Sequence, residues 1–238
     1  MIQFFAPDIE QTLTLPESDS QHCVKVLRKQ PGDIITVIDG RGTRLTCRLT
    51  EAHAKHARVE IVERTPITPY WQGEITMAVA PTKHLDRMEW LVEKLTETGF
   101  DRFVPLQCRW SERKELKTER LEKIAVSAMK QSLKATLPTI EEMTTFRRFV
   151  EEMKSVPQKF IAHCDPDTPR KLLSREYHPG EACVIAIGPE GDFSPEEIEM
   201  ATGAGFVPVS LGEARLRTET AALLACHTLH TVAEIINK

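Results

Sequence analysis

The chain has 238 residues, 41% of them hydrophobic and 28% charged, with a formal net charge of −4. That length allows one large or two small domains with real cores, and no apolar run approaches the roughly 20 residues of a membrane span. The first ten residues hold no Lys or Arg, so a signal peptide is not expected, and six cysteines without a Cys-x-x-Cys pair argue against zinc or a disulfide framework and for reduced thiols in the cytoplasm.

In chain order, residues 2–5, 34–39, 44–49 and 57–62 read as short strands. Turn chemistry separates them, including Pro31-Gly32-Asp33 and Asp39-Gly40-Arg41-Gly42. Residues 21–28 read as a short helix, and the whole suits a small β-barrel. Thr65-Pro66-Ile67-Thr68-Pro69 then reads as a stiff linker. Beyond it the pattern alternates. Residues 75–80 form a strand, and 84–98 a helix with Leu85, Met88, Leu91 and Leu95 at helical spacing and Gly99 as its stop. Residues 103–106, 160–163, 183–187 and 206–209 are further buried strands. Such alternation predicts an α/β fold, a parallel sheet with helices on both faces.

Charge is segregated along the chain. Residues 22–48 carry Lys25, Arg28, Lys29, Arg41, Arg44 and Arg48 against only Asp33 and Asp39. Residues 102–134 are also basic overall, but mixtures such as Glu112-Arg113-Lys114-Glu115 equally mark a solvated helix face. From residue 181 onward acidic residues dominate. Basic clusters of the first kind supply affinity for phosphates, so the first stretch is the better nucleic-acid candidate.

Two glycine-bearing loops near the end are the most informative feature. Gly188-Pro189-Glu190-Gly191-Asp192-Phe193-Ser194-Pro195-Glu196-Glu197 and Leu211-Gly212-Glu213-Ala214-Arg215-Leu216-Arg217-Thr218-Glu219-Thr220-Ala221 each follow an apolar run and lead into a helix. Ser194, Pro195 and Glu197 spell a capping box. After Thr218, Leu224, Thr228 and Val232 fall on one helical face with Leu229 and Ile236 beside it. Two strand-loop-helix units put both loops at the carboxyl edge of a parallel sheet, where open α/β sheets bind ligands. Neither a P-loop nor a Gly-x-Gly-x-x-Gly fingerprint is present. Glu190, Asp192, Glu213 and Glu219 suit a ligand with hydroxyls and a positive centre, and S-adenosylmethionine fits that description. Ordinary polar βα turns are the alternative reading. His53/His56 and His227/His230 have no ligand company, so no metal is expected.

These loops resemble the paired signatures of the RsmE-type family of the SPOUT class of RNA methyltransferases. The matches are Gly188, Pro189, Glu190, Gly191 and Phe193, then Leu211, Gly212, Leu216, Arg217, Glu219, Thr220 and Ala221. Asp192 stands where the family has glycine, and Ala214-Arg215 where it has Arg-Ile. The likeness extends upstream to residues 22–28, Gly32-Asp33, Lys83, Glu93-Lys94, 97–99, Gln131-Ser132 and Pro138, with Lys134 where an arginine is more usual.

The resemblance implies a PUA-like β-barrel over residues 1–70 that binds RNA. Residues 71–238 would be a SPOUT methyltransferase domain with a C-terminal trefoil knot, the cofactor site and a homodimer interface. The implied activity is S-adenosylmethionine-dependent methylation of N3 of a uridine in the decoding region of 16S rRNA, in the small ribosomal subunit, with no membrane and no metal. It assigns His163, Gly188, Pro189, Glu190, Gly191, Leu211, Gly212 and Leu216 to the cofactor, Arg217 and Glu219 to catalysis, and Lys25, Arg28, Lys29, Arg41, Arg44 and Lys134 to RNA.

Methyl transfer from a sulfonium is an in-line displacement, so positioning carries much of the catalysis. Uracil N3 needs a group that removes its proton or stabilises the resulting anion. Arg217 suits the electrostatic role, and a salt bridge to Glu190 or Glu219 is its structural alternative. Glu219 also complements a helix dipole, and no residue stands out as a general base. A non-catalytic RNA-binding ribosome-assembly factor on the same fold is the competing reading, favoured by Asp192 in place of glycine.

Overall fold

Alternating burial builds the first sheet of the computed structural model, which describes residues 2–236. Its strands are β1 (Gln3–Phe5), β2 (Ile34–Ile38), β3 (Thr43–Glu51) and β4 (Arg58–Pro66), in the order β1-β2-β3-β4. The β1–β2 pair is parallel, and the other two are antiparallel. Leu45, Cys47 and Leu49 alternate inward along β3 and pack with Phe4, Ile35, Val37 and Val59. β4 continues through Thr65 and Pro66, where the sequence reads a linker. Proline is tolerated there because its strand pairs with β3 and lies at the end of the sheet order. Helices α1 (Ile9–Thr12) and α2 (Glu17–Gln21) precede a π-helical turn at His22–Val26. The helical segment thus starts earlier than residue 21, directly after Pro16.

This first compact unit contains the chain up to Tyr70 together with Val126–Leu137, which the sequence assigns to the second half. Met129 and Ala135 complete a small core with Ile38, flanked by Phe5, Ile67 and Leu137.

The second unit covers Trp71–Ala125 and the chain from Pro138 onward. Its strands are β5 (Ile75–Val79), β6 (Arg102–Gln107), β7 (Thr139–Ile140), β8 (Thr144–Thr145), β9 (Gln158–Ala162), β10 (Lys171–Leu172), β11 (Cys183–Ile187) and β12 (Val207–Ser210). They run β10-β12-β9-β11-β5-β6-β7, with β8 also beside β6, and every pairing is parallel. β5 and β11 are buried along their whole length, the burial pattern of a sheet covered on both faces. The helices are α3 (Leu85–Thr98), α4 (Glu119–Gln131), α5 (Phe146–Glu152), α6 (Leu173–Glu176), α7 (Pro195–Gly203) and α8 (Thr218–Ile236), of which α4 begins in this unit and runs on into the first from Val126. α3 packs on α8, and α5 on α7.

The buried face of α8 differs from the one its large residues suggest. Thr218, Ala222, Ala225, Cys226, Leu229 and Val232 face inward, while Leu224, Ile235 and Ile236 are exposed and Thr228 is half-buried. Small side chains let α8 approach α3 closely, which a hydrophobicity pattern weighted by size misses.

If residues 126–137 belong to the first core, Ile38→Ala and Met129→Ala will not destabilise independently. Each should cost about 2–5 kcal/mol in urea unfolding, and their double mutant should depart from additivity by about 0.5–3 kcal/mol. Strict additivity would contradict the shared core.

Candidate active site

Strand register brings the site together. Ala162 of β9 pairs with both Ile187 of β11 and Val209 of β12, and Ile187 pairs with Val79 of β5. Four parallel strands therefore end in one row, and the chain leaves that row at His163, Gly188, Ser210 and Ala80.

The loop after β11 folds tightly on itself. A Cβ on Gly188 would lie 3.1 Å from the Phe193 ring and amide nitrogen, closer than most side chains tolerate. Phe193 is buried against Phe146, with ring centroids 5.1 Å apart. The Asp192 amide donates to the Pro189 carbonyl at 2.9 Å, and Asp192 has φ of 69°. Glycine is the ordinary occupant of that backbone region, and Asp is among the residues that tolerate it best. Its carboxylate accepts from the Cys164 amide at 2.6 Å and from the Phe193 amide at 2.8 Å. Asp192 therefore preserves the glycine conformation and ties this loop to the one after β9. Beyond it, Ser194 and Glu197 form the reciprocal capping box of α7.

The loop after β12 turns at Gly212, whose φ of 117° disfavours any side chain, with Ser210 Oγ accepting from its amide at 3.1 Å. Leu211 and Leu216 are half-buried, and Glu213, Ala214, Arg215 and Arg217 are exposed. Thr218 Oγ1 donates to the Gly188 carbonyl at 3.0 Å and so couples the two loops.

Glu219, adjacent to Thr218, is buried and pairs through Oε1 with Arg87 at 3.3 Å. Its other oxygen, Oε2, is buried without a hydrogen-bond partner. Glu190 accepts from the Lys83 amide at 2.9 Å. Both carboxylates that could have paired with Arg217 thus have other partners, and its guanidinium is left exposed. Arg113 donates to the carbonyls of Thr82 and Lys83 in the β5–α3 connection, which meets the first loop through the Lys83–Glu190 bond. Arg87 and Arg113 are absent from the site expected from sequence. Arg87 carried a signal, since it stands one and two turns before Leu91 and Leu95 on an otherwise buried stripe.

His163 is 4% exposed, and neither ring nitrogen has a partner. Burial lowers its pKa below the usual imidazole value, opposed by Asp192 and reinforced by Arg170, which donates to the His163 carbonyl at 2.6 Å. Unpaired buried polar atoms are costly and rare, so His163 and Glu219 Oε2 mark places where a ligand can complete the hydrogen bonding. Such a ligand must offer a donor for Oε2 and polar groups for an imidazole. S-adenosylmethionine, with hydroxyls, an ammonium and ring nitrogens, matches those needs.

The residues expected to meet RNA all lie in the first unit, Lys134 included. Lys25 and Arg28 are exposed, and Lys29 and Lys134 half-buried. Arg44 is engaged structurally, bonded to the Gln3 side chain at 3.2 Å and the Leu133 carbonyl at 3.1 Å, while Gln3 also donates to the Lys134 carbonyl. Arg41 donates to the Pro7 carbonyl at 2.8 Å. These bonds fix Arg41 and Arg44 rather than leaving them to search for phosphates. Among the described residues, no group of three His, Cys, Asp or Glu is arranged to hold a metal, and no helix is long and apolar enough to cross a membrane.

An RNA methyltransferase domain matches residues 69–230, and an RNA methyltransferase PUA domain matches residues 15–62. "Ribosomal RNA small subunit methyltransferase E" of Synechocystis sp. is 31% identical over 95% of this chain and 75% of its own length. The chain belongs to this RNA methyltransferase family. The enzyme of the same name from Bacillus subtilis is 25% identical over 94% of this chain and 92% of its own. A crystal structure of a probable rRNA-methyltransferase from Porphyromonas gingivalis superposes with a TM-score of 0.95 at 44% identity, covering 99% of this chain and all of that one. The Neisseria gonorrhoeae ribosomal RNA small subunit methyltransferase E, bound to S-adenosyl methionine, gives 0.84 at 30% identity, covering 98% of each chain.

Asp192→Ala should be less stable than Asp192→Gly by about 1 kcal/mol in denaturant unfolding, because both lose the carboxylate's two hydrogen bonds and only alanine keeps the left-handed strain. Equal stabilities would mean that the backbone conformation carries no cost. His163 gives a pH signature. Its folded pKa lies below the unfolded value near 6.5, so the unfolded state binds the extra proton and stability is lost as pH falls below about 6.5. The melting temperature of His163→Gln should fall less over that window than that of wild type.

Proposed function

We propose that this protein transfers a methyl group from S-adenosylmethionine to N3 of a uridine in 16S ribosomal RNA. The observation that carries the reading is the row of loops after β9, β11 and β12, with a buried imidazole and a buried carboxylate oxygen left unpaired beside them. When bound, the cofactor supplies an electrophilic methyl group on a positively charged sulfur. Gly188, Pro189, Glu190 and Gly191, with Leu211, Gly212 and Leu216, form the backbone cradle, and His163 completes its floor. Acidic groups and the lack of a phosphate cradle favour a cationic ligand over a nucleotide. Asp192 keeps the loop geometry that glycine would give, which removes the main sequence argument for a non-catalytic binding factor.

Arg217, exposed beside this cradle, stabilises negative charge on the uracil or holds the adjoining phosphate. Arg87 fixes Glu219 at the foot of the same loop. The first unit grips the RNA through Lys25, Arg28, Lys29 and Lys134, which a target base leaving its stack requires. The reading includes the PUA-like barrel and trefoil knot implied by the family. The strand order, in which the chain passes from β9 out to β10 and back to β11 before β12, supports the knot. It also includes a cytoplasmic homodimer formed through exposed Leu224, Ile235 and Ile236 of α8.

Arg217→Ala should lower turnover far more than it weakens cofactor binding, because its partner exists only on the reacting base. Alkaline conditions that ionise uridine should partly restore the rate. Calorimetry showing an equal loss of cofactor affinity would make Arg217 a loop residue. Mass mapping of small-subunit RNA from cells lacking the gene should show one N3-methyluridine missing, and an unchanged map would refute the activity.

A further inference from the structure

A rigid, exposed indole sits against the first signature loop. Trp110 is 46% exposed, and a Cβ on Gly191 would lie 3.4 Å from its Cβ and 4.0 Å from its Cε3. The turn that carries it is anchored on both sides. The Cys108 amide donates to Ser111 Oγ at 3.0 Å, and the Ser111 amide returns to the Cys108 carbonyl at 3.1 Å. The Arg109 amide donates to Glu197 Oε1 at 2.8 Å, the same carboxylate that closes the capping box of α7. Cys108 and Ser111 are buried, so the turn is rooted in the core and only its apex projects. Trp71, by contrast, spends its indole N–H on Asp101 and its ring on His230.

Cations follow Trp110 in the chain, and another meets the loop it touches, since the Lys83 amide donates to Glu190, the neighbour of Gly191. Lys83, Arg113 and Lys114, with Glu112 and Glu115, line an open concavity of about 500 Å³, ample for a nucleotide. Arg113 is fixed by two carbonyls, and Lys83 pairs with Glu112 at 3.0 Å. An exposed π-face on an anchored turn, with cationic residues on the same segment, suits an unstacked nucleobase with its phosphate.

We propose that Trp110 is a stacking platform for an RNA base splayed out beside the cofactor loops, with Lys83, Arg113 and Lys114 receiving its backbone. The inference rests on the RNA-methylating reading and adds a recognition residue in the second unit, apart from the basic residues of the first. Nothing in it requires a particular base, because every base has a π-face.

Full-length protein is titrated with a fluorescein-labelled transcript of small-subunit RNA, comparing wild type, Trp110→Phe and Trp110→Leu. RNA should quench wild-type tryptophan emission, and that quench should be largely lost in Trp110→Phe. Trp110→Leu keeps an apolar contact with Gly191 but has no π-face, so its RNA affinity should fall about 5- to 150-fold. Trp110→Phe should stay within a few-fold of wild type, and the thermal shift on adding S-adenosylmethionine should be unchanged in both. Wild-type affinity in Trp110→Leu, equal losses in both variants, or emission indifferent to RNA but dependent on protein concentration would overturn the platform. The last result would mean that a second copy covers the indole. If wild type itself fails to methylate the RNA, the proposed function fails. If wild type methylates and Trp110→Leu matches it, only the platform fails.

Discussion

The register of the parallel sheet is the constraint on which the rest depends. Val209, Ala162, Ile187, Val79 and Pro105 lie side by side on five adjacent strands. Because parallel hydrogen bonding fixes strand ends relative to one another, the loops that follow are brought together although more than a hundred residues separate them. A shift of one residue in β11 would turn its side chains to the opposite face and displace Gly188 from Thr218. β11 is paired along its whole length with β5 on one side and β9 on the other, and these two ladders hold that register.

On this frame the polar groups divide into those already satisfied and those left open. Asp192, Glu190 and Glu197 spend their carboxylates on backbone amides and so set loop shape. His163 and one oxygen of Glu219 have no partner, although burial makes that expensive. Beside the glycine loops these two groups are what a bound ligand would complete, while the neighbouring carboxylates already have backbone partners.

Much of this was readable in the sequence, for identifiable reasons. Buried parallel strands are short apolar runs, so 183–187 could be read to the residue, and Ser194-Pro195-Glu196-Glu197 carries its cap chemistry in order. The two-residue strands β7, β8 and β10 were not readable, because edge pairs such as Thr139–Ile140 and Lys171–Leu172 lack any periodicity. The inward face of α8 was misread because Ala222, Ala225 and Cys226 bury themselves by being small. Residues 126–137 carry no local signal of joining the first unit, since Met129 and Ala135 find Ile38 only through tertiary packing. Trp110 is invisible for the opposite reason, because exposure cannot be inferred for a residue that is normally buried.

The central claim is that the three loops at the sheet edge form one cofactor site. Amide hydrogen exchange of the full-length protein, with and without S-adenosylmethionine, tests it most directly. Protection should appear together at residues 163–165, 188–193 and 211–216, with little change in the strands of the first unit. Protection confined to other segments, or no change at saturating cofactor, would contradict the account.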